Sequence, residues 1–194
     1  MRIRSTGAPV YRLKVTLRGS KPRIWRRFLV PSDIKLKRLH DAVQAVMGWT
    51  NSHLHQFEAG GLLYGTSDRE FGVRRISENR TTLDAVLRPP KGRMKYEYDF
   101  GDGWEHDIVL EAVLPPRPEG VYPIVEAGER ACPPEDVGGI HGYYSFLQAL
   151  EDPSHPEHRD MVTWIGGSFE PDAFAVREAN LAIHGGWVLE EHDA

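Results

Sequence analysis

Tyr96-Glu97-Tyr98-Asp99-Phe100-Gly101-Asp102-Gly103-Trp104-Glu105-His106-Asp107-Ile108-Val109-Leu110-Glu111 is the stretch whose reading decides the fold. Apolar and polar residues alternate on both sides of a Gly-Asp-Gly turn, the pattern of a β-hairpin. Tyr96, Tyr98 and Phe100 share one face of the first strand, and Trp104, His106, Ile108 and Leu110 share one face of the second. A three-residue loop over residues 101–103 puts both sets on the same side of the sheet, pairing Phe100 with Trp104 and Tyr98 with His106. The aromatic face is then the buried one. The reverse face sets Glu97 and Asp99 against Glu105 and Asp107, like charges that destabilise a ladder unless cations lie over them. Asp102, in the turn, adds another carboxylate.

The cations needed to quiet that face lie at the start of the chain. Residues 1–38 carry twelve Lys or Arg against Asp33 alone, whereas the whole chain of 194 residues has a net charge of -4. Such polarity fits a basic segment packed beside an acidic one, and it also fits a nucleic-acid-binding end with Arg23, Arg26, Arg27, Lys35, Lys37 and Arg38 as its phosphate footprint. With 40% hydrophobic and 27% charged residues, no apolar run is long enough to span a bilayer, so no membrane is expected as a partner. Met-Arg-Ile-Arg-Ser-Thr-Gly lacks the apolar core of a secretory signal, and Cys132 is the only cysteine. Both point to a cytoplasmic protein without internal disulfides.

From Val10 to Arg18 the pattern alternates again, with Arg12, Lys14, Thr16 and Arg18 outward. A turn over residues 19–22 leads to a partner strand over residues 24–30. Pro31-Ser32-Asp33 starts a helix whose apolar positions Leu36, Leu39, Val43, Val46 and Met47 run to Gly48. A strand over residues 54–59 places His53, His55 and Phe57 on one face, and two such histidines can hold one metal ion. Short elements are expected near residues 62–64 and 81–87, a further strand over 122–127, and helices over 142–150, 156–164 and 171–183. The whole reads as one α+β domain over residues 10–187, between a flexible tail (1–9) and a frayed C-terminus (188–194). Its sheet is mixed but mainly antiparallel, built from two hairpins and further strands. It carries one early helix, a C-terminal helical segment and a β-grasp-like opening of strand, strand, helix, strand.

Three motifs resemble those of the family named after the third open reading frame of plasmid pRiA4b. They are Trp49-Thr-Asn-Ser-His53-Leu-His55-Gln-Phe57, the Tyr-Asp-Phe-Gly-Asp-Gly-Trp string above, and Cys132-Pro-Pro-Glu135-Asp136-Val137-Gly138-Gly139 followed by Gly142-Tyr143. The resemblance covers about residues 10–183 and implies an α+β fold without assigning an activity. Val137 stands where the family often has a second cysteine, which counts against a thiol-pair or zinc–thiolate site. Some relatives are labelled transposon resolvases. A serine recombinase needs an activated serine backed by arginines, whereas Ser5 lies in a Gly-Ala-Pro tail, and no tyrosine-recombinase set is present.

Three functions compete. The first is a non-catalytic binding module for a protein or nucleic-acid partner, with no cofactor, in which Asp102, Glu135 and Asp136 brace the loops. The second is a divalent-metal-dependent hydrolase. Asp99, Asp102, Trp104, His106, Glu135 and Asp136 form its candidate site, and His53, His55, Asp99 and Asp102 are candidate ligands. The third is nucleic-acid binding by the basic hairpin.

Overall fold

The computed structural model describes residues 2–4, 7–66, 74–116 and 120–184. Ser5 and the C-terminus over residues 188–194 lie outside the described residues. Strands β1 (Ile3–Arg4), β2 (Val10–Leu17) and β3 (Trp25–Pro31) lead into helix α1 (Leu36–Met47). Strands β4 (His55–Ala59), β5 (Leu62–Gly65) and β6 (Ile76–Ser77), helix α2 (Leu83–Val86), and strands β7 (Arg93–Tyr98), β8 (Trp104–Leu114), β9 (Val121–Tyr122) and β10 (Ile124–Glu129) follow. Helices α3 (Gly139–Glu151), α4 (His158–Ile165) and α5 (Val176–Ile183) close the chain. The main sheet has the order β10-β3-β2-β8-β7-β4-β5-β6, antiparallel at every pair except β5–β6. This is the mixed, mainly antiparallel α+β architecture read from the hydrophobic periodicity.

One sheet face is buried because alternation delivers Leu13, Val15, Phe28, Phe57, Tyr96, Tyr98, Trp104, His106 and Ile108 to it. Helix α1 lays Leu36, Leu39, Val43, Val46 and Met47 on that layer. It ends at Gly48, whose φ of 91° is the left-handed C-cap that glycine adopts without strain. The helix begins later than Ser32-Asp33 suggests, because residues 32–34 are drawn into backbone pairing with α2: Asp84 N–H donates to Ser32 O and Leu83 N–H to Ile34 O. Ile3–Arg4, in the stretch expected to be a flexible tail, pairs with Val121–Tyr122. The exposed edge of β10 is covered by α5. The side-chain amide of Asn180 accepts from Val125 N–H at 2.9 Å and donates to Val125 O at 3.0 Å, substituting for a neighbouring strand.

The central hairpin is β7–β8, and its register differs from the expectation. Tyr98 opposes Trp104 and Tyr96 opposes His106, so the ladder stops two residues earlier and the turn spans residues 99–103. The cause is Asp99. It takes a left-handed φ of 57°, its Oδ1 accepts from Gly101 N–H, and its carbonyl accepts from Gly103 N–H. A two-residue slip preserves face parity, so the aromatic face is buried as expected. Phe100 alone leaves it and is 40% exposed.

On the reverse face Glu97 opposes Glu105, and the β2–β3 hairpin supplies the counter-charge for the second strand. Arg18 binds Glu105 at 2.5 Å and Arg27 binds Glu111 at 2.5 Å, while Arg12 binds Glu126 of β10 at 2.7 Å. Glu97 instead accepts from the Gln56 amide at 2.6 Å.

Two histidines lie wholly in the core. Burial pushes His106 down to about 4, and burial, reinforced by the charge of His55, does the same to His40. Both rings are therefore neutral in the folded chain, while the unfolded chain protonates them from about pH 6.5 downward. Stability is fully present above that pH and is lost as the pH falls from 6.5 towards 4, by up to about 3 kcal/mol per ring. Urea denaturation across this range is expected to show the loss, and His106→Leu is expected to make the fall shallower.

Candidate metal centre

Three loops meet at the turn end of β7–β8, and each is shaped by a residue in left-handed backbone. The segment after α1 carries Asn51 (φ 62°), the hairpin turn carries Asp99 (φ 57°), and the loop before α3 carries Asp136 (φ 61°). Asn and Asp tolerate this conformation better than other non-glycine residues.

The loops are joined by two devices. The first is a close backbone approach: a Cβ on Gly139, whose φ is 68°, would lie 2.2 Å from Asp102 O, so only glycine lets the two loops touch. Asp102 Oδ2 also accepts from Gly138 N–H at 3.2 Å. The second is Glu135. Its Oε2 accepts from Thr50 N–H at 2.9 Å and from the Thr50 hydroxyl at 2.6 Å, and its Oε1 accepts from Tyr98 O–H at 2.5 Å. The Tyr98 hydroxyl oxygen in turn accepts from Ser52 N–H. Burial alone would raise the Glu135 carboxyl, but the bonds from Thr50 and Tyr98 outweigh it and hold the group below its ordinary value. Burial, then the bond to Glu135, pushes the Tyr98 hydroxyl well above the usual phenol range.

One donor from each loop converges as a result. His53 Nε2 lies 3.1 Å from Asp136 Oδ1 and 3.7 Å from Asp99 Oδ2, and the donor atoms of the three residues fall within 4.8 Å of one another. The approach to Asp136 is short enough for a hydrogen bond but lacks its alignment: Nε2 is buried and has no hydrogen-bond partner. Asp99 is 8% exposed, and its Oδ1 is spent on the turn, leaving Oδ2 towards His53.

The other residues singled out in the sequence are placed elsewhere. His55 begins β4, and His53 lies just before the strand. Its Nε2 pairs with Glu78 at 2.7 Å, and its ring stacks on His40 at 3.4 Å. His40 donates from Nε2 to Asn51 Oδ1 and, being neutral, accepts at Nδ1 from the Tyr96 hydroxyl. Asp102 braces Gly138, while Trp104 and His106 are core residues beside Trp49. Of the six cations proposed as a phosphate footprint, only Arg23 has no ion pair or hydrogen bond among the described residues. Arg26 is buried and donates to Val46 O, Trp25 O and Glu129 O. Arg27 is held by Glu111, Lys37 and Arg38 by Asp41, and Lys35 by Arg80 O. Arg23 is exposed and lines a groove of about 630 Å³ with Lys14, Arg18, Lys21 and Arg93. Burial raises the Cys132 thiol far above its ordinary value, which makes it a poor nucleophile.

The residues that sequence reasoning missed are His40 and Glu78. His40 sits in the apolar stripe of α1, where its position was the only signal. Glu78 comes from an irregular segment and carries none.

The motifs that build this centre belong to one family. The family described as plasmid pRiA4b ORF-3-like protein matches residues 9–178. The chain belongs to it. A relative from Sinorhizobium fredii, described as uncharacterized protein y4hQ, is 45% identical over 179 residues, 91% of each chain. The crystal structure of a protein of unknown function, MM3350 from Methanosarcina mazei Go1, is 41% identical with a TM-score of 0.79, over 89% of this chain and 98% of that one. Among its described residues the chain contains no helix long and apolar enough to cross a membrane.

Gly139→Ala tests the loop contact on which the centre depends. It is expected to cost about 2–4 kcal/mol, through the left-handed backbone and the clash with Asp102 O, as read by chemical denaturation. Gly166→Ala, at a left-handed helix cap with open space around it, is expected to cost only about 1 kcal/mol.

Proposed function

We propose that this chain is a divalent-cation-binding module in which His53, Asp99 and Asp136 hold the ion. One observation supports the reading above the others: a buried imidazole nitrogen without a hydrogen-bond partner faces carboxylate oxygens from two separate loops. Leaving such a nitrogen unpaired costs about 1–3 kcal/mol. A cation supplies its missing partner and the counter-charge for both aspartates. One imidazole with two carboxylates suits Mn²⁺ or Zn²⁺ better than Mg²⁺, which prefers oxygen donors and keeps its water. Three protein donors leave positions open to water or an anion.

Metal-dependent hydrolysis is a second reading, favoured by a cavity of about 330 Å³ that His53 lines. An ion with open positions activates bound water and polarises an ester or phosphodiester oxygen.

Thermal unfolding with Mn²⁺ or Zn²⁺ tests the first reading. At about a hundredfold excess over Kd, the ion is expected to stabilise the wild type by about 3 kcal/mol. His53→Ala and Asp136→Asn are each expected to abolish that gain while leaving the metal-free protein folded. An undiminished gain in both variants would refute the assignment. For the second reading, Mn²⁺-loaded protein is expected to release nitrophenolate from bis(p-nitrophenyl) phosphate, and Asp136→Asn is expected not to.

A further inference from the structure

The cavity beside the centre has a wall that folding alone does not account for. Leu54 is 56% exposed and Phe100 40% exposed, although each directly follows a proposed ligand in the chain, His53 and Asp99. Both line the cavity. Phe100 is there because the left-handed backbone of Asp99 turns it out of the aromatic face, so the geometry that aims the carboxylate also presents the ring. A large apolar side chain left in water forgoes its burial energy, and two beside one concavity mark a contact surface. The Arg75 guanidinium lies 5.2 Å from the Phe100 ring centroid, and Arg75 also donates to Gln56 Oε1 and Thr66 O, so the ring is backed by an anchored group. Lys37, paired with Asp41, and Glu78, paired with His55, line the same cavity.

We infer that this cavity takes a small organic anion bearing a flat ring. Its phosphate or carboxylate oxygens complete the coordination of the ion on His53, Asp99 and Asp136, and its ring lies against Phe100 and Leu54. The inference rests on the cation-binding reading. A volume of about 330 Å³ is at the lower end for ligand pockets, which suits a mononucleotide-sized molecule and not a polymer. Once a divalent ion cancels the two aspartates, its open positions meet the anion's charge, with the Arg75 guanidinium beside them, while Lys37 is balanced by Asp41 and Glu78 by His55. The exposed ring then discriminates among anions, because stacking on an aromatic side chain rewards any planar group.

Isothermal titration of the Mn²⁺-loaded full chain with adenosine monophosphate and with inorganic phosphate tests the inference. The nucleotide is expected to bind at least about tenfold more tightly than phosphate, and neither is expected to bind in EDTA. Phe100→Leu is expected to keep the Mn²⁺ and phosphate affinities and lose the nucleotide's advantage, while Phe100→Trp retains it. A nucleotide no tighter than phosphate, or an advantage that survives Phe100→Leu, would overturn the inference while leaving the ion site standing. No Mn²⁺ uptake at all would remove the ion site and the inference together.

Discussion

The carboxylate of Glu135 is the point at which three otherwise independent segments become one structure. It accepts hydrogen bonds from the backbone and hydroxyl of Thr50 and from the hydroxyl of Tyr98, and it sits in the loop that carries Asp136. Thr50 lies three residues before His53, and Tyr98 and Glu135 directly precede Asp99 and Asp136. The carboxylate therefore sets the spacing of the donor atoms without itself being one of them. Bonds to an ionised acceptor are about twice as strong as neutral ones, so the clamp is suited to holding loops that have no repetitive structure. The contact between Gly139 and Asp102 O completes it, since any side chain there would push the loops apart.

The charge pattern is resolved by the same division between strand and turn. Along β8, each of Glu105 and Glu111 has an arginine from the β2–β3 hairpin across it, so the basic beginning of the chain serves the acidic ribbon. Exposed pairs of this kind each contribute roughly 0–1 kcal/mol. Their larger effect is to remove the repulsion that bare carboxylates on adjacent strands would create. At the turn the arrangement changes. Among the described residues no Lys or Arg forms an ion pair with Asp99, Asp102 or Asp136, and two of the three face an imidazole instead. Residual negative charge gathers where the loops meet.

Much of the fold was legible because periodicity is a local property. The alternation in β2, β7 and β8, the apolar stripe of α1 and its glycine stop each follow from side-chain spacing, and the structure has them. The hairpin register was not legible. Gly-Asp-Gly invites a three-residue turn, and nothing in the residue types says that Asp99 prefers to bond Gly101 N–H and end the ladder early. The α1 start lies later for a related reason: Ser32 and Asp33 look like caps, but the backbone there is already committed to α2. The spacing of His53 and His55 makes them candidate partners on one ion. One falls just before the strand and the other inside it, so they turn to different neighbours.

The sequence by itself determined the fold class, the buried aromatic face and the identity of the acidic and histidine residues at issue, because these depend on composition and on periods of two and 3.6 residues. Only the tertiary structure decided which of those residues meet. His53, Asp99 and Asp136 come from segments far apart in the chain, and their convergence depends on a backbone contact only glycine permits and on the hydrogen bonds to Glu135. Those are relations across space, which spacing along a chain does not encode.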